Sequence, residues 1–133
     1  MSKIVEGRVV SGLGEGAKYV SMPVYNILLT ELLDDTPYPG TLNIDIKESY
    51  EELLSECPPL QIKSVVMNGQ EYGGFYYWFG NIVEPNIHVL VIRPFLTKHP
   101  GNVLEVVAER NLRKELGLRD GNVIKVKLIC AEV

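Results

Sequence analysis

The chain has 133 residues, 46% of them hydrophobic and 23% charged, with 13 Lys and Arg against 17 Asp and Glu for a formal net charge of −4. This suits a single globular domain over residues 1–133 and excludes a disordered or fibrous protein. The acidic balance argues against a nucleic-acid surface, and no apolar run approaches the roughly 20 residues needed to cross a bilayer.

The opening "MSKIVEGRVV" passes from one Lys directly into strand-forming residues, without the apolar region of a secretory signal, so a cytoplasmic setting is expected. "SGLGEGAKYVS" follows, with Gly12, Gly14 and Gly16 in five positions. Glycine costs conformational entropy on folding, so so many together need a use. A tight turn is one use, and a cradle of backbone N–H groups around phosphates is another. Neither the P-loop nor the dinucleotide fingerprint is present, because Lys18 precedes Tyr19 and the glycine spacing is wrong.

"SMPVYNILLTELLDD" predicts a helix with Val24, Ile27, Leu28 and Leu32 on its buried face, Ser21 as cap and Pro23 in the first turn. The Pro-rich stretch 34–40, "DDTPYPG", is a tight connection into a strand, "GTLNIDI", whose alternation over Thr41 to Ile46 predicts one wet face. Thr41 and Asn43 are two apart and share a face, offering hard oxygens that suit Mg²⁺. The same residue types also satisfy local backbone groups. "SYEELLSE" reads as a turn or two of helix ended by "CPPL".

Further strands are expected in "IKSVVMNG", "GGFYYWFGNIV", "IHVLVIRP", "VLEVVA" and "VIKVKLICAEV", with clear alternation over Val123 to Leu128. Between the last two, "ERNLRKELGLRDG" predicts a short helix ending at Gly117. Short strands cut by turn signals indicate a mainly β fold, a barrel or a sandwich. The run Phe75, Tyr76, Tyr77, Trp78, Phe79 is expected to fill core and rim, His88 to lie on a strand surface and His99 in a loop. Cys57 and Cys130 have neither a CxxC spacing nor the number of a disulfide framework, and both are expected to be reduced.

Three segments together carry a family likeness: "EGRVVSGLGEGAKYVS", "YPGTLNI" and "RPFLTKHPGNVLEVVAERNLRKELGLRDGNVIKV". Over nearly its whole length the sequence resembles the archaeal CTP-dependent riboflavin kinases. The resemblance implies a small six-stranded cradle-loop β-barrel with a few short helices. It also implies transfer of the γ-phosphate of CTP to the 5′-hydroxyl of riboflavin, giving CDP and FMN with Mg²⁺. By position it assigns nucleotide contacts to Gly12, Leu13, Gly14, Glu15, Gly16, Ala17 and Lys18, with a second nucleotide segment at Arg110, Asn111, Leu112 and Arg113. Thr41 and Asn43 become the Mg²⁺ ligands, and Thr97 and Glu105 the flavin-binding residues. Lys18 is expected to add positive charge at the phosphates, and Glu105 to orient or deprotonate the attacking hydroxyl. The competing reading is a non-catalytic barrel of the same kind that binds a nucleotide, a flavin, DNA or a protein, since "LRKELGLRDGNVIKV" also fits such modules.

Overall fold

The structure, a computed structural model, describes residues 1–12, 15–95, 97 and 101–132, except the side chain of Glu15. In chain order the elements are β1 (Ser2–Val10), α1 (Glu15–Ser21), α2 (Pro23–Leu33), β2 (Leu42–Ile46), α3 (Tyr50–Glu56), β3 (Leu60–Ile62), β4 (Val65–Met67) and β5 (Gln70–Tyr72). They continue with β6 (Phe75–Ile82), β7 (Ile87–Pro94), β8 (Val103–Val107), α4 (Leu112–Glu115) and β9 (Val123–Ile129). No described helix is long and apolar enough to cross a membrane.

Six strands close on themselves in the order β6-β7-β8-β2-β1-β9, every pairing antiparallel. Closure falls on β6, whose second half pairs with β9 through Gly80↔Leu128 and Ile82↔Val126 while its first half takes β3. The fold is therefore the expected mainly β barrel, and closure removes the exposed edges an open sheet would leave. β4 and β5 form a separate hairpin whose Asn68-Gly69 turn has both residues at positive φ.

The barrel interior is filled by inward residues such as Val5, Val9, Ile44, Trp78, Val89, Val91, Leu104 and Val126. A second core lies outside it, where Val20 of α1 and Tyr25, Leu29 and Leu33 of α2 cover Phe75, Tyr77, Leu90, Ile92 and Val107. β7 is thus buried on both faces, which is why "VLVI" reads as a continuous apolar run without alternation. Phe75, Tyr77 and Trp78 are core residues as expected, and exposed His88 lies on β7 with Nε2 hydrogen-bonded to the Leu33 carbonyl at 3.2 Å. α4 carries an Asn111 cap and is followed by Gly117 at positive φ, matching the predicted stop.

Four expectations are corrected. α2 buries Tyr25, Leu29 and Leu33, and Ile27 stands 65% exposed, because a helix apolar nearly all round leaves its phase to whatever packs against it. Ser21 does not cap α2; its hydroxyl donates to the Ala17 carbonyl inside α1, and Met22 holds the cap position without a side-chain bond. β2 lacks a fully wet face, since Asn43 is buried beneath the glycine stretch. Cys57 and Cys130 are joined in a disulfide, their Cα atoms 4.8 Å apart. Sequence spacing hid that pair because the barrel brings the end of α3 against the end of β9 across 73 positions.

Candidate active site

The site is built on the outward side of β2 and its neighbour β8. Asn43 lies directly opposite Glu105 in the antiparallel register, so carboxamide and carboxylate project from the same face. Thr41, just before β2, donates its hydroxyl to Glu105 Oε1 at 2.9 Å. Both Asn43 and Glu105 are buried, at 7% and 6% exposure. Among the described residues Asn43 Oδ1 nevertheless has no hydrogen-bond partner. A buried orphan acceptor costs about 1–3 kcal/mol, and such a group in a native structure points to an ion or ligand donor.

The glycines explain the burial. A Cβ on Gly12 would overlap the Asn43 carboxamide nitrogen, and one on Gly16 would overlap the Thr41 hydroxyl. Only bare backbone at these two positions lets the chain lie directly on the Thr41–Asn43 face.

Two side chains not singled out in the sequence lie within electrostatic reach of Glu105. Arg93 follows Ile92, the β7 residue paired with Glu105. Its Nη1 donates to the Val103 carbonyl at 2.7 Å, and its guanidinium lies 4.9 Å from the Tyr50 ring centre. Burial lowers the Arg93 pKa, while Tyr50, Glu105 and Glu51 favour the cation. Tyr19, three residues after Gly16 and so on the same face of α1, stacks on Tyr25 at 4.0 Å and meets Phe75 edge-on at 6.3 Å. Burial first, then Tyr25 and Glu105, push its pKa far above the usual phenol range, so the hydroxyl stays protonated.

A second limb reaches the site from α4. A cleft of about 120 Å³ runs between Thr41, Tyr38, Ala108, Arg110 and Arg113. Asn111 Oδ1 accepts the Lys114 N–H at 3.2 Å, and its Nδ2 donates to the Tyr38 hydroxyl at 3.1 Å. Arg113 pairs with Asp120 at 2.9 Å and donates to the Val10 carbonyl at 3.4 Å, while the Ser11 hydroxyl donates to the same Asp120. The segment 110–113 is thereby tied to the start of the glycine stretch, about a hundred residues earlier.

Gly12, Gly16, Thr41, Asn43 and Glu105 therefore come together, with Arg110, Asn111 and Arg113 along the adjoining cleft. Leu112 also lines the cleft but is 4% exposed and packed in the core, so contact there falls mainly to its backbone. Ala17 and Lys18 are exposed on α1; Lys18 is two positions from Gly16, about 200° round the helix, and leaves it on another side. Thr97 is half-buried, its N–H donating to the Pro94 carbonyl at 3.3 Å. Leu13, Gly14, the Glu15 side chain and His99 lie outside the described residues.

A family model labelled CTP-dep_RFKase and described as "Domain of unknown function DUF120" matches residues 9–128. The chain belongs to this family. A relative named riboflavin kinase from Pyrobaculum arsenaticum is 40% identical over 126 residues, covering 92% of this chain and 59% of the relative. Riboflavin kinases from Staphylothermus marinus and Methanococcus aeolicus are each 35% identical over 92% of this chain, and it covers 88% and 95% of their lengths. The chain thus spans about three fifths of the Pyrobaculum relative and nearly all of the other two. The matched stretch contains the glycine segment, β2, β8 and α4, so every part of the site falls within the family's extent. Of the residues missed, Arg93 had a signal, a cation closing an apolar strand; Tyr19 and Asp120 had none.

Proposed function

We propose that this protein is a CTP-dependent riboflavin kinase, moving the γ-phosphate of CTP to the 5′-hydroxyl of riboflavin to give FMN and CDP. The observation that carries the reading is the orphan carboxamide oxygen of Asn43, held beside the Thr41–Glu105 hydrogen bond under a glycine stretch. These residues fit Mg²⁺: a carboxamide oxygen without a donor and a hydroxyl whose lone pairs stay available while it donates to Glu105 make a pair of hard ligands. Bound there with the phosphates, the ion would neutralise charge on the transferring group.

Phosphoryl transfer asks chiefly for in-line positioning and charge stabilisation. Gly12, Leu13, Gly14, Glu15, Gly16, Ala17 and Lys18 are assigned to the phosphates, and Arg110, Asn111, Leu112 and Arg113 to the rest of the nucleotide. Lys18 acts from the solvent side of α1. Thr97 and Glu105 are assigned to the flavin, with Glu105 orienting the 5′-hydroxyl and accepting its proton as the new O–P bond forms. A cytoplasmic setting belongs to the same reading, because nucleoside triphosphates are held inside cells. The disulfide is compatible with it, since intracellular disulfides are common in hyperthermophilic archaea and bacteria.

The test is FMN formation from riboflavin and Mg²⁺ with CTP, ATP, GTP and UTP in parallel. CTP is expected to support the fastest turnover, and Asn43→Ala to lower it by about 100-fold or more, as for loss of a preorganised charge-stabilising group. Absence of FMN with every nucleotide overturns the reading and leaves a binding module.

A further inference from the structure

Two buried side-chain polar atoms lack a hydrogen-bond partner among the described residues, one paired across the sheet with Glu105 and the other within its electrostatic reach. One is Asn43 Oδ1, opposite Glu105 in the β2–β8 register. The other is the Tyr19 hydroxyl, within electrostatic range of the Glu105 carboxylate. Its stacking partner Tyr25 shows what the fold does with a phenol that serves structure alone: that hydroxyl donates to the Gly73 carbonyl at 2.9 Å. Tyr19 shares that ring stack and has no such acceptor among the described residues. A buried phenol left unsatisfied is unfavourable in the free protein, so a role only in packing would be served better by Phe.

The chemistry of a ligand for Tyr19 follows from what surrounds it. A protonated phenol buried among rings offers an O–H donor, which needs an oxygen or nitrogen acceptor. Among the described residues Tyr19 feels the carboxylate of Glu105 and packs on the rings of Tyr25 and Phe75 beside an apolar cluster. An anionic phosphate would be desolvated against those rings. A neutral aromatic molecule with hydroxyl or carbonyl oxygens avoids that penalty. It can accept from Tyr19 while one of its hydroxyls donates to Glu105.

Resting on the kinase reading above, we infer that the Tyr19 hydroxyl is a binding group for the acceptor substrate, donating a hydrogen bond to an uncharged oxygen of the flavin or its polyol chain. Tyr19 takes no part in bond making. It fixes the acceptor against Glu105 and leaves the nucleotide to the glycine stretch and α4.

Tyr19→Phe removes the hydroxyl and keeps the ring. Riboflavin and CDP binding to the full chain with Mg²⁺ would be titrated for wild type and variant, riboflavin by its own fluorescence, alongside the thermal midpoint of each free protein. Riboflavin should bind the variant about tenfold more weakly, ~1.4 kcal/mol. CDP affinity should change less than about twofold, and the midpoint should hold or rise because an orphan group has been removed. Unchanged riboflavin affinity overturns the inference and leaves the kinase reading intact. A lowered midpoint with equal weakening of both ligands also overturns it, since Tyr19 would then be structural. Failure of the wild type to bind riboflavin removes both the inference and the reading on which it rests.

Discussion

The two ends of β1 are built for different purposes. At the Ser2 end, paired with Ile129, the Cys130 N–H reaches the Met1 carbonyl, the disulfide ties Cys130 to Cys57, and the Trp78 indole donates to the Cys57 carbonyl at 2.8 Å. At the Val10 end, paired with Asn43, a carboxylate is buried, and among the described residues a buried carboxamide has an unpaired oxygen and a phenol nearby has no acceptor. The strand separates them by about 26 Å at ~3.3 Å per residue. One end satisfies its buried polar groups within the chain and adds a covalent link; the other keeps polar groups available for what will bind. The difference teaches that the covalent link of this barrel and its chemistry are placed apart, so the link can be removed without touching the site.

The largest effect should come from the satisfied end. Replacing Cys57 and Cys130 by Ser releases a loop spanning 73 positions, and chain entropy then predicts about 4 kcal/mol less stability. Denaturant unfolding measures it, and FMN formation by the folded fraction should stay near wild type. A large loss of turnover with little loss of stability would break the separation.

At the other end, Glu105→Gln should cut turnover by at least about 100-fold, in the range for loss of a general acid–base group. Riboflavin binding and the thermal midpoint should change little, because the amide can still accept from Thr41. Full activity would remove Glu105 from the chemistry.

Gly16→Ala tests the close approach of backbone to β2. Helix propensity alone predicts a gain of about 1 kcal/mol. Overlap with the Thr41 hydroxyl predicts instead a loss of about 1–3 kcal/mol, from overpacking. The loss is expected, with turnover falling alongside, and thermal unfolding gives the sign directly.

The smallest effect is pH-dependent. The Ser11 hydrogen bond first, and Arg113 second, hold the Asp120 carboxyl below its usual pKa. A depressed carboxyl contributes above its unfolded value, about 3.9, and the contribution is lost as pH falls through the folded value. Asp120 is exposed, so salt screens the effect. The stability of the free protein should fall modestly below about pH 4 in wild type, read as the thermal midpoint against pH. Asp120→Asn should shift nucleotide affinity at neutral pH by about twofold, as expected for a surface ion pair.

Much of this was legible in the chain. β-branched and aromatic runs broken by Gly, Pro and Asn placed the main strands, and the Thr41–Asn43 pair was visible because a strand has period two. The phase of α2 was not, since Val24, Ile27 and Leu28 are as apolar as Tyr25, Leu29 and Leu33, and only docking onto Leu90 and Ile92 chooses between the faces. The helical character of Glu15–Ser21 was masked by glycine, whose cost is offset here by contact with β2.

By itself the sequence determined what is local: most element types, turns, the face shared by Thr41 and Asn43, and a family likeness spread along the chain. Tertiary structure alone decided the contacts between distant positions: Glu105 opposite Asn43, Arg113 at Asp120 beside Ser11, Cys57 at Cys130, and the Tyr19 hydroxyl left without a partner among the described residues. The physical reason is that periodicity acts over a few residues, whereas register and closure join positions tens of residues apart, and burial is a property only of the closed barrel.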